Sequence, residues 1–223
     1  MTQPNASYIL RYFPSIGLAE SSRLLLTAAK VEWTEEHPEW PQAKPEQPHG
    51  RLPVLVEKSA DGGADFVITE SSNIERYLAR VYGFLPADPK QAALQEQIRD
   101  LMSDVGAFIV GYIRSEDENS KSAFLERFEA LFETLLAVQT QLVKDNGSTG
   151  RLFGDDLSYA DIISYGFYKN LLIGMVHLDT NIPNLAKPKL TPEIIKLLST
   201  VEDDPLVKKH ILQSDSLAAA IST

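Results

Sequence analysis

The sequence predicts a small α/β domain over residues 1–85, followed by an all-helical domain over residues 86–223. Short runs of aromatic and branched residues, which are typical of strands, occur only in the first part. After Pro86 the apolar residues instead recur three and four positions apart, which is the spacing of amphipathic helices. A length of 223 residues is also long for one small domain, so the sequence favours two.

The first domain is predicted to contain a strand, a helix, a β-hairpin and a second helix, in that order. The run SYILRYF at 7–13 has the composition of a strand, and a helix is expected over 18–30. The runs at 52–57 and 66–69 flank SADGGAD, whose Asp-Gly-Gly is a turn signal typical of hairpins. The second helix is expected over 71–82.

The segment 33–48 is predicted to be a loop or a short irregular helix, because four prolines interrupt it. A further strand between the first helix and the hairpin stays an open alternative. With or without that strand, the order of elements is that of a small α/β domain.

The second domain is predicted to consist of three long helices followed by two shorter ones. The first two are expected over 90–115 and 120–145. The third begins at Ser158, which forms a capping box with Asp161 three residues later. A loop over 183–192 is expected to precede the two short helices.

The charge balance of the chain bears on its partners. Lys and Arg number 21 against 31 Asp and Glu, a formal net charge of -10. A nucleic-acid partner is not expected, because binding one requires a basic surface that displaces phosphate counterions. No run of 18 apolar residues occurs, and the first fifteen residues lack the pattern of a secretory signal. The expectation is a cytoplasmic protein with no membrane partner.

The absence of cysteine excludes disulfides, thiolate metal ligands and a cysteine nucleophile. The four histidines never occur at the H-x-x-x-H spacing of a zinc helix, so the sequence does not favour a zinc site either. We therefore expect no metal.

Tyr12 is the first candidate for chemistry, because it lies at the end of the first predicted strand. Open α/β sheets bind ligands at the carboxyl edge of their strands, and a strand, a turn and a helix in succession would place the Tyr12 hydroxyl there. A tyrosine packed in the core is the alternative interpretation, and the residue alone does not decide between the two.

Four parts of the sequence occur in the order and spacing found in one enzyme family. They are YILRYFP at 8–14 with GLAESSRLLL at 17–26, GRLPVL at 50–55, ESSNIERYLAR at 70–80 and GDDLSYAD at 154–161. In these parts the sequence resembles the cytosolic glutathione transferases of the tyrosine type. The resemblance implies an N-terminal thioredoxin-like domain with a mixed four-stranded sheet, followed by an all-helical C-terminal domain.

The resemblance also implies an activity and its partners. Glutathione would be the co-substrate, a small hydrophobic electrophile the second substrate, and the protein a homodimer. Tyr12 would be the catalytic residue, because a phenol that donates a hydrogen bond to sulfur stabilises the thiolate.

The glutathione-binding positions of the family have matching residues here. Lys44 would pair with the glycyl carboxylate, and Ser71, at a helix start, would bind the γ-glutamyl carboxylate through its hydroxyl and amide. Asp104 would reach the ammonium group of the glutathione in the neighbouring subunit. The implied set is Trp40, Lys44, Arg51, Leu52, Pro53, Glu70, Ser71 and Asp104.

Two further expectations concern the backbone and the second substrate. Pro53, if cis, would turn the chain so that the backbone of Leu52 pairs with the tripeptide as an added strand. The pocket for the electrophile would lie between the domains, and the tail at 212–221 would cover it or fray. The residues nominated for this pocket are Phe13, Phe108, Tyr112 and Ile113.

Three residues depart from the family pattern and leave alternatives open. Leu18 stands where many relatives have an arginine, Arg51 replaces a common glutamine, and His49 occupies the place of an aromatic residue that locks some dimers. The competing functions are a glutathione-dependent isomerase and a non-catalytic ligand-binding or structural relative, and Leu18 and Arg51 favour the second of these. Ser15 is the competing hydroxyl, although the Tyr-Phe pair at the strand end favours Tyr12.

Overall fold

The structure is a computed structural model that describes residues 6–212, and it begins with a four-stranded mixed sheet. The strands are β1 (Ser7–Arg11), β2 (Glu32–Glu36), β3 (Val54–Glu57) and β4 (Phe66–Thr69). Their order across the sheet is β2-β1-β3-β4. The pair β1–β2 is parallel, whereas β1–β3 and the hairpin β3–β4 are antiparallel. The expected mixed sheet of a thioredoxin-like domain is confirmed.

Two helices belong to this sheet, α1 (Glu20–Ala28) and α2 (Ser71–Tyr82). A short 3-10 turn, Gly17–Ala19, leads directly into α1. Gly83 ends α2 in the left-handed conformation, where a glycine carries no steric cost. The bounds of α2 are those predicted from the sequence.

Strand β2 lies partly inside the segment for which a loop or short irregular helix was expected, and that expectation was wrong for its first residues. The sequence of β2, EWTEE, contains three glutamates, which weaken the strand signal. Its side chains alternate between exposed and half-buried, as on an edge strand with one solvated face. The prolines begin only after β2 ends, at Pro38.

The rest of the described chain contains helices and no strand. Helices α3 and α4 pack along each other, and α5 packs against both α3 and α1. The bounds are α3 (Pro89–Arg114), α4 (Glu118–Asp145), α5 (Tyr159–Leu172), α6 (Asn181–Ala186), α7 (Pro192–Glu202) and α8 (Lys208–Ile211). Across residues 6–212, no helix is both long enough and apolar enough to cross a membrane.

Helix α6 corrects a second expectation, since a loop was predicted from residue 183. Pro183 lies in the first turn of α6, where the missing amide proton costs no helical hydrogen bond. A 3-10 turn, Lys187–Lys189, follows before α7.

The two parts of the fold share one apolar core. Helix α1 packs directly on α5, and the Tyr159 amide, at the first residue of α5, donates to the Phe84 carbonyl at 2.9 Å. Tyr165 and Tyr168 on α5 are wholly buried, as is Leu25 on α1. The contact between the sheet domain and the helices is therefore fixed by packing as well as by chain connectivity.

The predicted capping box at the start of α5 is confirmed. The Ser158 hydroxyl accepts from the Asp161 amide, and the Asp161 carboxylate accepts from the Ser158 amide at 3.0 Å. The same carboxylate also accepts from the Ser158 hydroxyl at 2.8 Å and from the Leu152 amide at 2.8 Å. Asp161 is wholly buried, so three donors depend on it where water cannot replace it.

Replacing Asp161 with alanine is expected to lower the free energy of unfolding by about 3 kcal/mol, because three donors lose a buried acceptor. The matched control is Asp117→Ala, since Asp117 caps α4 through the Ser120 amide at an exposed site. That control is expected to lose about 1 kcal/mol. Urea unfolding followed by circular dichroism measures both values, and equal losses would contradict the role given to burial.

Candidate functional site

The Tyr12 side chain lies just beyond the end of β1, where the next turn holds its hydroxyl. The Tyr12 amide continues the parallel ladder by donating to the Glu36 carbonyl at 3.1 Å. The Tyr12 hydroxyl oxygen accepts from the Leu18 amide at 2.9 Å. A hydroxyl that accepts this bond keeps its single proton for donation to another group. Tyr12 is therefore arranged as a hydrogen-bond donor.

Gly17 allows this turn to approach the ring of Tyr12. A Cβ atom added at Gly17 would overlap the Tyr12 hydroxyl and lie 2.7 Å from its Cε1. The φ angle of Gly17 is +46°, which L side chains rarely adopt. Both the space and the backbone conformation thus require glycine here.

The environment of Tyr12 keeps its phenol protonated. Burial is the largest influence and raises the pKa of Tyr12 above its usual value of 10, while the Leu18 amide and the Arg23 charge oppose that rise. Tyr12 as a whole residue is only 6% exposed. Because the net pKa shift is upward, the neutral phenol is the form present at physiological pH.

Arg23, on α1, ties the turn that carries Leu18 to the rest of the sheet domain. Its guanidinium donates to the Ile16 carbonyl at 2.9 Å and pairs with Glu35 on β2 at 2.5 Å. It also pairs with Glu20 at 3.1 Å, and its central carbon lies 5.8 Å from the centre of the Tyr12 ring. The partners of Arg23 fix its position beside the phenol.

Two other nominated aromatic residues lie in a row with Tyr12. The ring of Phe13 meets that of Tyr12 edge to face, with centroids 5.3 Å apart, and Trp40 meets Phe13 in the same way at 5.5 Å. Lys44 lies exposed in the same loop as Trp40, and its side chain runs beside Gly50. The structure thus brings Phe13 and Trp40 together with Tyr12.

The turn before β3 has the backbone that the resemblance implied. The Leu52–Pro53 peptide bond is cis, and the Thr69 hydroxyl donates to the Pro53 carbonyl at 3.3 Å. Pro53 is buried, Leu52 is half-buried and Arg51 is exposed.

Glu70 and Ser71 lie at the start of α2, where the backbone is unusual. Glu70 has φ +68° and ψ +116°, a conformation that non-glycine residues rarely adopt and that is typical of functional sites. The Glu70 carbonyl accepts from the Asn73 and Ile74 amides, and no described side chain caps the helix. Ser71 is the first residue of α2, and the amides of a first helical turn have no acceptor within the helix. The Ser71 amide can therefore donate to an anion at this N-terminus. His49 lies 3.6 Å from the exposed Glu70 carboxylate.

The four nominated residues on α3 differ in accessibility. Asp104 and Ile113 are exposed, and Phe108 is half-buried. Tyr112 is 7% exposed, and its hydroxyl donates to Asp179 at 3.1 Å and accepts from an asparagine at the start of α6. Among the described residues, no side-chain hydrogen bond or ion pair joins Asp104 to another nominated residue. The part of the tail beyond residue 212 lies outside the described residues.

Some residues that hold the site were not nominated from the sequence. Gly17 and Arg23 occur within the motif at 17–26, but their contacts with the Tyr12 turn require the structure. Arg99, on α3, donates to the Ser71 hydroxyl at 3.2 Å. A separation of 28 residues gives no local sequence signal for that contact.

The nominated site is defined neither by a metal cluster nor by the cavity at the ends of β1 and β2. Among residues 6–212, no group of three or more His, Asp and Glu side chains is placed to hold a metal ion. A cavity of about 490 Å³ opens near the ends of β1 and β2 and contains none of the nominated residues. Its lining is Arg11, Glu36, His37, Pro38, Ala43, Glu46 and Gln47.

Comparisons with known proteins agree with this geometry. Residues 9–80 match the family model of the glutathione S-transferase N-terminal domain, and residues 99–214 match that of the C-terminal domain. Glutathione S-transferase P 2 of Bufo bufo is 32% identical over 164 residues, which cover 70% of this chain and 73% of that protein.

Two solved structures resemble the whole fold. A nu-class glutathione transferase from Haemonchus contortus has a TM-score of 0.72 at 27% identity, covering 96% of this chain and 99% of that one. Monomeric Na-GST-3 from Necator americanus, a glutathione S-transferase, has a TM-score of 0.69 at 26% identity, covering 94% of this chain and 98% of that one.

The C-terminal family model alone spans more than half of the chain, and the N-terminal model includes the Tyr12 turn, the cis proline and the start of α2. The chain therefore belongs to the glutathione S-transferase family of enzymes.

Proposed function

We propose that this protein conjugates glutathione to a small apolar electrophile and that Tyr12 activates the thiol. The observation that carries the proposal is the bond from the Leu18 amide to the Tyr12 hydroxyl, which leaves the phenol proton free to donate. A sulfur atom placed at that hydroxyl would receive a hydrogen bond that favours its thiolate form.

The proposal requires only a modest decrease in the pKa of the glutathione thiol. A cysteine thiol has a pKa near 8.5, so only about 3% is thiolate at neutral pH. Each pKa unit corresponds to about 1.4 kcal/mol of differential interaction, and a decrease of about two units makes the thiolate dominant. One phenol donor in a site shielded from water supplies an effect of this order.

The nominated residues suit both ends of glutathione. Lys44 and the Trp40 indole would bind the glycyl carboxylate, while Ser71 would bind the γ-glutamyl carboxylate at the N-terminus of α2. Glu70, which is exposed, would accept from the ammonium group. The backbone of Leu52, a half-buried residue beside the cis bond, would pair with the cysteinyl residue between these two ends.

The electrophile would lie over Phe13, next to α3. Phe13 is half-buried beside Tyr12, and Phe108 and Ile113 retain accessible apolar surface. Tyr112 would support this surface from behind and would not contact the electrophile, because it is nearly buried and its hydroxyl is already hydrogen-bonded. An apolar lining of this kind favours an apolar second substrate.

Binding and turnover can be tested separately. Retention on glutathione resin with conjugation of 1-chloro-2,4-dinitrobenzene would support the proposal. Retention with isomerisation but no conjugation would favour a glutathione-dependent isomerase, and retention without turnover a non-catalytic relative. Failure to bind glutathione would overturn both enzymatic functions.

Tyr12→Phe is expected to lower kcat by roughly 10- to 1000-fold and to raise the pKa of bound glutathione, because the phenol that would donate to sulfur is removed. Glutathione affinity should change little. The pH dependence of thiolate absorbance near 240 nm and of the conjugation rate measures both effects. Ser15→Ala is the control, and a near-normal Tyr12→Phe beside an inactive Ser15→Ala would contradict the assignment.

Gly17→Ala is expected to lower kcat by about 10-fold or more, since its Cβ would displace the phenol from the Leu18 amide. Gly62→Ala is the matched control. Gly62 also has a positive φ, +79°, but open space surrounds its Cβ position. Steady-state rates and thermal unfolding of both variants separate backbone strain from displacement of Tyr12. Equal losses of activity would contradict the steric argument.

The protein is expected to be a homodimer of about twice 24.8 kDa, with Asp104 completing the glutathione site of its partner. Asp104→Asn should then raise the KM for glutathione more than it lowers kcat, because the residue contacts the ammonium group and not the sulfur. Sedimentation at micromolar concentration measures the mass. A monomer, or an unchanged KM, would contradict this arrangement.

A further inference from the structure

Arg99 on α3 reaches across the domain boundary to the first residue of α2. Its Nε and one terminal nitrogen donate to the Glu75 carboxylate, and its other terminal nitrogen donates to the Ser103 hydroxyl at 2.7 Å. The terminal nitrogen that donates to Glu75 also donates to the Ser71 hydroxyl at 3.2 Å. All three nitrogens of the guanidinium are therefore engaged, and its orientation is fixed.

This cluster is shielded from solvent. The Arg99 side chain is 12% exposed and that of Glu75 only 2%. Burial alone would lower the pKa of Arg99, but the Glu75 carboxylate raises it overall, so the guanidinium stays charged. A hydrogen bond from a charged donor is strong where water is largely excluded.

The bond from Arg99 determines what the Ser71 hydroxyl can do. A serine hydroxyl has one proton and two acceptor lone pairs. Arg99 donates a hydrogen bond to the oxygen and so occupies one of these lone pairs. The hydroxyl's own proton is left to donate elsewhere. Beside it lies the Ser71 amide at the N-terminus of α2, a second donor in a positive local field.

We propose that Arg99 is a positioning and specificity residue, which acts through Ser71 to select the α-carboxylate of a γ-glutamyl ligand. The inference rests on the proposed function and deepens it, because it assigns a residue of α3 to recognition of that end of glutathione. The guanidinium holds Ser71 as a donor and adds positive charge behind it. A carboxylate is favoured at this position, and an ammonium group is directed towards the Glu70 carboxylate.

Glu75 has a separate part in this arrangement. Burial raises the pKa of Glu75 and the Arg99 charge opposes that rise. The Glu75 carboxyl group holds the guanidinium through two of its nitrogens. Lysine has no planar fork of donors and cannot make the bonds to Glu75, Ser103 and Ser71 together. The competing explanation is that Arg99 and Glu75 only fasten α3 to α2, and the two roles differ in what they do to binding.

The test measures binding of two ligands by calorimetry. One is glutathione, and the other is 4-aminobutanoyl-cysteinylglycine, which lacks only the γ-glutamyl α-carboxylate. The variants are Arg99→Lys, which keeps the charge, and the pair Arg99→Gln with Glu75→Gln, which removes both buried charges together. The control pair is Arg151→Gln with Asp204→Asn. Arg151 and Asp204 form another buried arginine–carboxylate pair, in which each side chain is 9% exposed. Within the described part of the chain, no hydrogen bond or ion pair joins them to a nominated residue.

We expect both Arg99 variants to bind glutathione about 10-fold more weakly than the wild type and to bind the decarboxylated ligand with nearly unchanged affinity. The control pair should bind both ligands normally, whatever its loss in thermal stability. In a cycle with Ser71→Ala, the losses from Arg99→Lys and Ser71→Ala should be clearly non-additive, since the two residues act on one carboxylate.

Two results would overturn the assignment of Arg99 while leaving the proposed function intact. One is normal glutathione binding by the folded Arg99 variants, and the other is an equal loss of affinity for both ligands, which a purely structural fastening predicts. If the wild type binds neither ligand, the proposed function fails and the role of Arg99 fails with it. Thermal unfolding of each variant shows that the protein measured is folded.

Discussion

The buried carboxylate of Glu20 is the point at which the two domains and the Tyr12 turn are held together. It accepts from Lys169 on α5 at 2.6 Å and pairs with Arg23 at 3.1 Å, and Lys169 is wholly buried. Burial alone would raise the pKa of Glu20, but Lys169 and Arg23 hold it below its ordinary value. Removing Glu20 would take a carboxylate partner from both Lys169 and Arg23, so the group acts as a unit. Arg23 carries that constraint to the Ile16 carbonyl and thus to the turn beside Tyr12.

The two hydroxyls to which we assign functions are oriented in the same way. The Leu18 amide donates to Tyr12, and the Arg99 guanidinium donates to Ser71. In each case a fixed donor behind the oxygen leaves the hydroxyl proton to point outward. Neither hydroxyl then has to reorient when an anion arrives, and such preorganisation is what makes hydrogen bonds effective in stabilising charge. The two anions that this arrangement would serve are the thiolate and the γ-glutamyl carboxylate.

The residue pattern predicted elements whose signals are local and left undecided those that depend on distant partners. Helix α2 was predicted with its observed bounds because apolar periodicity and a terminal glycine both mark it. Strand β2 stayed an open alternative because its three glutamates weaken the strand signal, and only pairing with β1 makes it a strand. The site follows the same rule: Tyr12 lies in a recognisable motif, whereas the contact between Glu20 and Lys169 joins residues 149 positions apart. No periodicity or motif encodes such a contact, because it arises only when α1 packs on α5.

The departure at Leu18 has a smaller effect on Tyr12 than the sequence suggests. The group that contacts the phenol oxygen is the Leu18 backbone amide, which every residue except proline provides. The positive charge near the ring comes from Arg23, which does not depend on the side chain at position 18. The Leu18 side chain is instead 55% exposed, so replacement of the family's arginine changes the surface near the turn and not the bond that orients the phenol. An apolar residue at this place lowers the local positive charge and adds apolar area, a change that suits the apolar electrophile that we propose.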